Sequence, residues 1–372
     1  MRILLCDSSS YSPLNPYFVE PLDELSRECG YEFTFVDEAD FFPSKASLPA
    51  MIYRKIVGEP WWSRRQRLLN RRLFESAQLF KPNLVILVNG KYLSPATLRR
   101  IKDTTGALLA NYATDDPWNP TVTTRYFRDA VGIYDIYATP KKAAMSDLAS
   151  AGCKTVIRCL SAYKPSVHYP EASTTAEEKQ RYGCDVAFIG SCDPARIDYF
   201  HTLIRELPNV RLHIYGAGGW ERYPALRPYT KGIVLGRDFR IALASAKIAL
   251  NFIRHKNRDD HSERTFQIPA CGAFMLAERT DEQLKLLVAD REAAYFQTPQ
   301  ELVERVRYYL NRNAERETIA LAGHCRVTTG GNTCKDRLLE IIAAACQIID
   351  HEHPAMKSGT SVGASSMRNK CS

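Results

Sequence analysis

In the stretch NFIRHKNRDDHSERTFQIPACGAF (residues 251–274), Arg254, Lys256, Arg258 and Arg264 surround the end of an apolar strand pattern and the start of a helix pattern. Cations beside the first backbone N–H groups of a helix suit a diphosphate, by ion pairing and by hydrogen bonding together. Asp259, Glu263, Thr265 and Gln267 add donors and acceptors for sugar hydroxyls. A charge run is commonly a solvated loop with local ion pairs. Its place here, at the carboxyl end of a predicted strand, favours binding.

Two glycine turns follow other strand patterns. FIGSCDPAR (188–196) sets Gly190 and Ser191 just before a helix that carries Arg196, so its backbone N–H groups can face a phosphate. In YGAGGW (215–220), Gly216, Gly218 and Gly219 admit a close approach or a sharp bend, and Tyr215 and Trp220 can lie against an aromatic base. Neither turn has the GxGxxG spacing with a downstream acidic residue that a nicotinamide site uses. Earlier in the chain, NYATDDPWNP (111–120) ends a strand pattern on two carboxylates. Either Asp115 or Asp116 can serve as a general base on a hydroxyl, for a displacement that inverts the carbon attacked. The plainer alternative has Asp116 capping the turn before Pro117. Asp7 and Asn89 end two further strand patterns on the same predicted edge.

The elements that would position these residues read as two alternating series. MRILLCD, YEFTFVD, NLVILVNG, ALLANYATDD, DIYAT and KTVIRCL are strands separated by helical stretches, notably from about Asn15 to Cys29, Ser63 to Phe80, Pro95 to Lys102 and Lys141 to Ala151. Residues 161–183 lose the rhythm and read as a linker. CDVAFIGS, VRLHIYGAGG, GIVLG, KIALNF, GAFML and AAYF then form a second set, followed by three helical patterns over 298–313, 314–327 and 334–350. Apolar strands alternating with helices predict an α/β protein with two Rossmann-like, doubly wound parallel sheets, and ligands outside the carboxyl ends of the strands.

A length of 372 residues predicts two domains. With 45% apolar and 25% charged residues the chain has ordinary globular usage. Eleven cysteines without CxxC pairs read as reduced thiols, and eight histidines show no metal-ligand spacing, so no metal and no tightly bound cofactor are expected. No apolar run is long enough for a signal peptide or a membrane span, and the expected location is cytoplasmic. The net charge of +8 is concentrated in EPWWSRRQRLLNRRLF (59–74) and near the C-terminal end. Behind Trp61 and Trp62, Arg64, Arg65, Arg67, Arg71 and Arg72 alternate with Leu68, Leu69, Leu73 and Phe74. Such a helix can lie on an anionic membrane surface, or pack its leucine stripe on a sheet and solvate its arginines.

HSERTFQIPACGAFMLAERTDE, together with CDVAFIGS, IYGAGGW, KIALNFIR and NYATDDPWNP, resembles the CgeB-like group of GT-B glycosyltransferases, a group named for a spore-maturation protein. The likeness runs from about residue 80 to 345, with RTFQIPACGAF its most specific part. It implies a GT-B fold: an acceptor-binding domain (1–165), a nucleotide-sugar-binding domain (166–330), a C-terminal helix (331–352) bridging back onto the first domain, and a disordered tail (353–372). It further implies that the 254–267 segment binds a nucleotide-diphosphate sugar donor without a metal. Arg254, Lys256 and Arg264 would then hold the diphosphate, and Tyr215 and Trp220 the base region. Retaining relatives carry two glutamates separated by seven residues; aligned on Ala-Cys-Gly, Asp259 and Gln267 occupy those positions, and Gln267 would hold the ribose. The acceptor would be a glycan, a lipid-linked sugar or a small molecule, with no nucleic acid as partner. Two alternatives stand beside this reading: a nucleotide-sugar epimerase of the same fold, and a non-catalytic binding protein working through its basic helix and tail.

Overall fold

The computed structural model describes residues 1–8, 16–42 and 62–352. Within them, two parallel sheets follow one another along the chain. The first holds β1 (Arg2–Asp7), β2 (Glu32–Asp37), β3 (Leu84–Val88), β4 (Leu108–Tyr112), β5 (Ile136–Thr139) and β6 (Thr155–Arg158), in the order β2-β1-β3-β4-β5-β6. The second holds β7 (Cys184–Ile189), β8 (Leu212–Tyr215), β9 (Ala246–Asn251), β10 (Met275–Glu278) and β11 (Ala294–Phe296), in the order β11-β10-β9-β7-β8. The strand order reverses at β1/β3 in one sheet and at β7/β9 in the other. A crevice opens at such switch points outside the carboxyl ends of the strands.

The strands are apolar almost throughout because helices cover both faces. On one face of the first sheet, Leu4, Val85 and Leu87 meet Leu69, Leu73, Phe74 and Ala77 of the helix Trp62–Phe80. On the other, Ile3, Leu5 and Ile86 meet Leu22 and Leu25 of the helix Val19–Cys29. They also meet Leu338, Ile341 and Ala345 of the helix Cys334–Glu352, which returns from the second unit to the first. Leu338 and Ile341 are fully buried, and each contributes roughly 1.5–3 kcal/mol.

The sequence expectations differ from the fold at one predicted strand, and the basic helix takes the packed one of its two expected placements. Residues 232–236 form no strand: Gly232 and Gly236 take positive φ of 85° and 53°, and Ile233 and Leu235 are exposed. Left-handed residues at both ends break the extended run that GIVLG suggested. The basic helix lays Leu69 and Leu73 on the sheet, whereas Leu68 is exposed, and Arg64, Arg67, Arg71 and Arg72 point outward. Its apolar stripe is thus consumed by the core, leaving only an arginine face for any membrane contact. Trp61 and the 353–372 tail lie outside the described residues, and among those residues no helix is long and apolar enough to cross a membrane.

Candidate functional site

A cleft of about 470 Å³ separates the carboxyl ends of the two sheets. The first unit lines it with Asp7, Glu38, Asn89, Lys91 and Asp115. The second contributes Gly190, Ser191 and Arg196 from the β7 end, and Arg254, Asp259, Glu263 and Arg264 from the β9 end.

Gly190 turns the chain from β7 toward the helix Pro194–Glu206. Arg196, in the first turn of that helix, is only 6% exposed. Its Nη1 donates to Ser191 O at 2.8 Å, its Nε has no partner, and its guanidinium lies over the Phe188 ring at 5.4 Å. Arg264 enters from the opposite side, where its Nε donates to Ile189 O at 3.1 Å and its Nη1 donates to Gln267. Burial pulls both guanidinium pKa values below their usual range. Among the described residues neither arginine has a carboxylate within ion-pair distance, whereas every other cation in the cleft has one.

Arg254 binds Asp115 at 3.1 Å and Asp259 at 3.5 Å; Lys91 binds Asp115 at 2.5 Å; Lys141 pairs with Asp259. The Arg254–Asp115 and Lys141–Asp259 pairs cross between the units and tie the 254–264 loop to the first sheet. Asp115 sits well enclosed yet below the usual carboxylate range: burial raises its pKa, and Lys91 and Arg254 more than offset that. Tyr17 adds a bridge by donating its hydroxyl to Glu263. His261 accepts from Ser161 N–H at 3.1 Å, and burial lowers its pKa to about 3, so the ring is neutral.

Several residues singled out from the sequence serve other ends. Asp116 is 1% exposed and does not line the cleft. Arg258 grips both its oxygens, at 2.5 and 3.0 Å, and reaches Asp147 at 2.6 Å. Held in this way and away from the cleft lining, Asp116 latches the two units together. Gln267, expected at the ribose, is 1% exposed and bonded to Arg264 and Glu263. Glu263, one helical turn earlier, reaches the cleft instead. Thr265 is fully buried and bonds Gln283 at 2.9 Å. Lys256 is exposed and outside the cleft lining, because the short 3-10 turn His255–Asn257 carries it outward.

Tyr215 and Trp220 are 2% and 1% exposed and belong to the core, so neither presents a face to a base. Trp220 Nε1 donates to Gly190 O at 3.2 Å, and Tyr215 pairs with His213 Nδ1 at 3.0 Å. Gly216 and Gly218, at φ 145° and 100°, press their backbone against the Gly190–Cys192 turn from behind. They support the wall that Gly190 and Ser191 present. A Cβ on Gly216 would lie 2.0 Å from Gly190 O. Gly216→Ala is therefore expected to lower stability by at least about 2 kcal/mol, measurable as a urea midpoint shift.

Glu38 and Lys91 were not anticipated from the sequence. The available signal was position: Glu38 immediately follows β2, where the run FVDEAD leaves the sheet on its carboxyl end.

Residues 196–347 match the family model described as "Glycosyl transferase-like". Solved structures share the whole arrangement. HepE of Anabaena, crystallised with UDP-glucose, is similar at a TM-score of 0.61 and 12% identity, over 93% of this chain and 100% of that one. Sucrose-phosphate synthase of Thermosynechococcus elongatus is similar at 0.63 and 10%, over 96% and 100%. A Listeria monocytogenes chain named for UDP-N-acetylglucosamine 2-epimerase activity is similar at 0.58 and 12%, over 94% and 97%. These likenesses show the fold, the two-domain GT-B architecture. No curated protein matches the chain by sequence similarity.

Proposed function

We propose that this chain is a GT-B glycosyltransferase of the CgeB-like group, moving a sugar from a nucleotide-diphosphate sugar, with uridine as the first base to test, to an acceptor hydroxyl in the cleft. The observation that carries this reading is the pair Arg196 and Arg264, two enclosed guanidinium groups flanking the Gly190 turn with no carboxylate within ion-pair distance among the described residues. Burying a charge without a counter-charge is unfavourable, and a dianionic ligand between the two relieves it. The family match over residues 196–347 and the UDP-glucose complex of HepE support a sugar nucleotide as that ligand.

In this reading Arg196, Arg264 and the Gly190–Ser191 backbone hold the diphosphate. As the bond to the sugar breaks, the same groups stabilise the charge that develops on the leaving oxygen, the work a metal does elsewhere. Arg254 stays with Asp115 and Asp259, joining the two walls. Glu263 stands where Gln267 was expected, as the acceptor for ribose hydroxyls. The ten described cysteines are all unpaired, which accords with a reducing, cytoplasmic location. The outward arginines of the helix Trp62–Phe80 would add a peripheral membrane contact if the acceptor is lipid-linked.

The test is thermal-shift titration with UDP, GDP, dTDP, CDP and their sugar conjugates. One diphosphate at 100 times its Kd should stabilise the chain by about 2.7 kcal/mol, and Arg264→Ala should remove that response. EDTA should leave it unchanged. No shift with any nucleotide would refute the donor site. Isomerised sugar nucleotide without transfer would identify the epimerase reading instead.

A further inference from the structure

The first-unit wall of the cleft carries a second constellation that the donor reading does not use. Asp7 ends β1 and Glu38 follows the end of β2; the two strands are adjacent and in register, with Asp7 opposite Asp37. Both carboxyls line the cleft, and they are 1% and 6% exposed. Asp7 is held rigidly, its Oδ1 accepting from Ser8 N–H at 2.7 Å and its Oδ2 from Tyr17 N–H at 2.5 Å. Glu38 Oε1 is buried with no hydrogen-bond partner. Lys91, the nearby cation in the cleft, is committed to Asp115.

A carboxyl that lines the cleft and keeps one oxygen without a partner among the described residues can take a hydrogen bond from a polar ligand group. The arginine-rich second-unit wall is the place for an anion. The carboxyl wall opposite suits hydroxyl groups, which can donate to one carboxyl and accept from another.

We propose that Asp7 and Glu38 form the acceptor subsite of the transferase, Asp7 as the base that takes the proton of the reacting hydroxyl and Glu38 as the group that positions the acceptor by hydrogen-bonding a neighbouring hydroxyl. This rests on the glycosyl-transfer reading above and assigns it an acceptor class, a sugar or polyol with adjacent hydroxyls. In the step, the acceptor O–H proton passes to Asp7, the acceptor oxygen bonds the anomeric carbon from the face opposite the leaving group, and the carbon–oxygen bond to the diphosphate breaks with its electron pair leaving on phosphate. Asp7 then loses its proton to solvent, and Glu38 is unchanged.

The electrostatics agree with these roles. Burial lifts the Asp7 pKa to about 7, with Asp37 also raising it; the Ser8 and Tyr17 amides and Lys164 pull it down. Burial lifts Glu38 to about 8, with Asp7 and Asp37 also raising it and Lys91 lowering it. Cys6 and Tyr134 beneath Glu38 are themselves pushed up by burial and stay neutral. Two backbone N–H groups favour the ionised form of Asp7, and the unpartnered oxygen of Glu38 favours its protonated form, so a shared proton leaves a base beside a donor, the arrangement a hydroxyl acceptor needs.

The experiment measures UDP release from UDP-glucose across pH 6 to 9, with water as the acceptor probe and then with methyl β-glucoside, alongside UDP binding by calorimetry. Release by the wild type should rise as Asp7 ionises through about pH 7 and fall as Glu38 ionises beyond about pH 8. Asp7→Asn should cut release by roughly 100-fold or more while UDP still binds. Glu38→Gln, which cannot ionise, should lose the alkaline fall. Release that survives in Asp7→Asn, an alkaline fall that persists in Glu38→Gln, or a wild type that binds UDP but releases none from UDP-glucose with either probe would overturn the assignment. Failure of wild-type UDP binding would instead strike the donor reading.

Discussion

Arg196→Met is expected to weaken nucleotide-diphosphate binding by roughly 30- to 150-fold while leaving the ligand-free chain at least as stable as the wild type. The two outcomes have one cause. Arg196 is buried between the Phe188 and Phe252 rings, with its guanidinium 5.4 and 6.0 Å from their centroids. Its one hydrogen bond is to Ser191 O, and its Nε is unpartnered. Without ligand this is a desolvated charge lacking compensation, and an apolar side chain of similar length packs on the same rings at no such cost. With ligand, the lost charge-assisted contacts are worth about 2–3 kcal/mol, roughly a 30- to 150-fold rise in Kd. Calorimetry with the diphosphate found in the thermal screen, beside urea unfolding of the free chain, checks both halves. A variant that loses stability as well as binding would mark Arg196 as structural.

Asp116→Asn is expected to do the reverse, lowering stability by about 2–4 kcal/mol with turnover in the folded fraction little changed. Asp116 joins the β4 end to the loop that follows β9 through two contacts from Arg258, and its own loop is held by a 3.0 Å bond from Trp118 N–H. Asn257 Oδ1 accepts from the Asp116 amide at 3.1 Å and completes the junction. Arg258 sits at φ 51°, a left-handed conformation uncommon outside glycine, and its ion pairs to Asp116 and Asp147 offset that strain. Neutralising Asp116 leaves Arg258 with one carboxylate, Asp147, to hold its left-handed conformation, while Arg254 keeps Asp115 and Asp259 and Arg264 keeps Ile189 O. Urea denaturation and kcat on the same preparation separate this from general-base chemistry, which would show a large loss of kcat at unchanged stability.

The sequence alone determined the architecture. Strands such as LLANY and LVILV are buried at every position and almost wholly apolar because both faces are covered, and that property survives any arrangement of neighbours. It also set Gly190, Arg196, Arg254 and Arg264 on one wall of the cleft, since they follow strand patterns and must emerge at the carboxyl ends of β7 and β9. Tertiary structure alone decided which side chains remain available. Asp115 and Asp116 are adjacent in sequence, yet one faces the cleft and the other is seized by Arg258, 142 residues away. Glu263 and Gln267 share a helical face, but only the first reaches the opening; Trp220 turned inward to Gly190 O. Glu38 gained its role from burial beside Asp7, across a strand pair. Local pattern encodes which faces are apolar, whereas the state of a charge depends on partners and solvent exclusion supplied by distant segments. Those are set only when the two sheets close on one another.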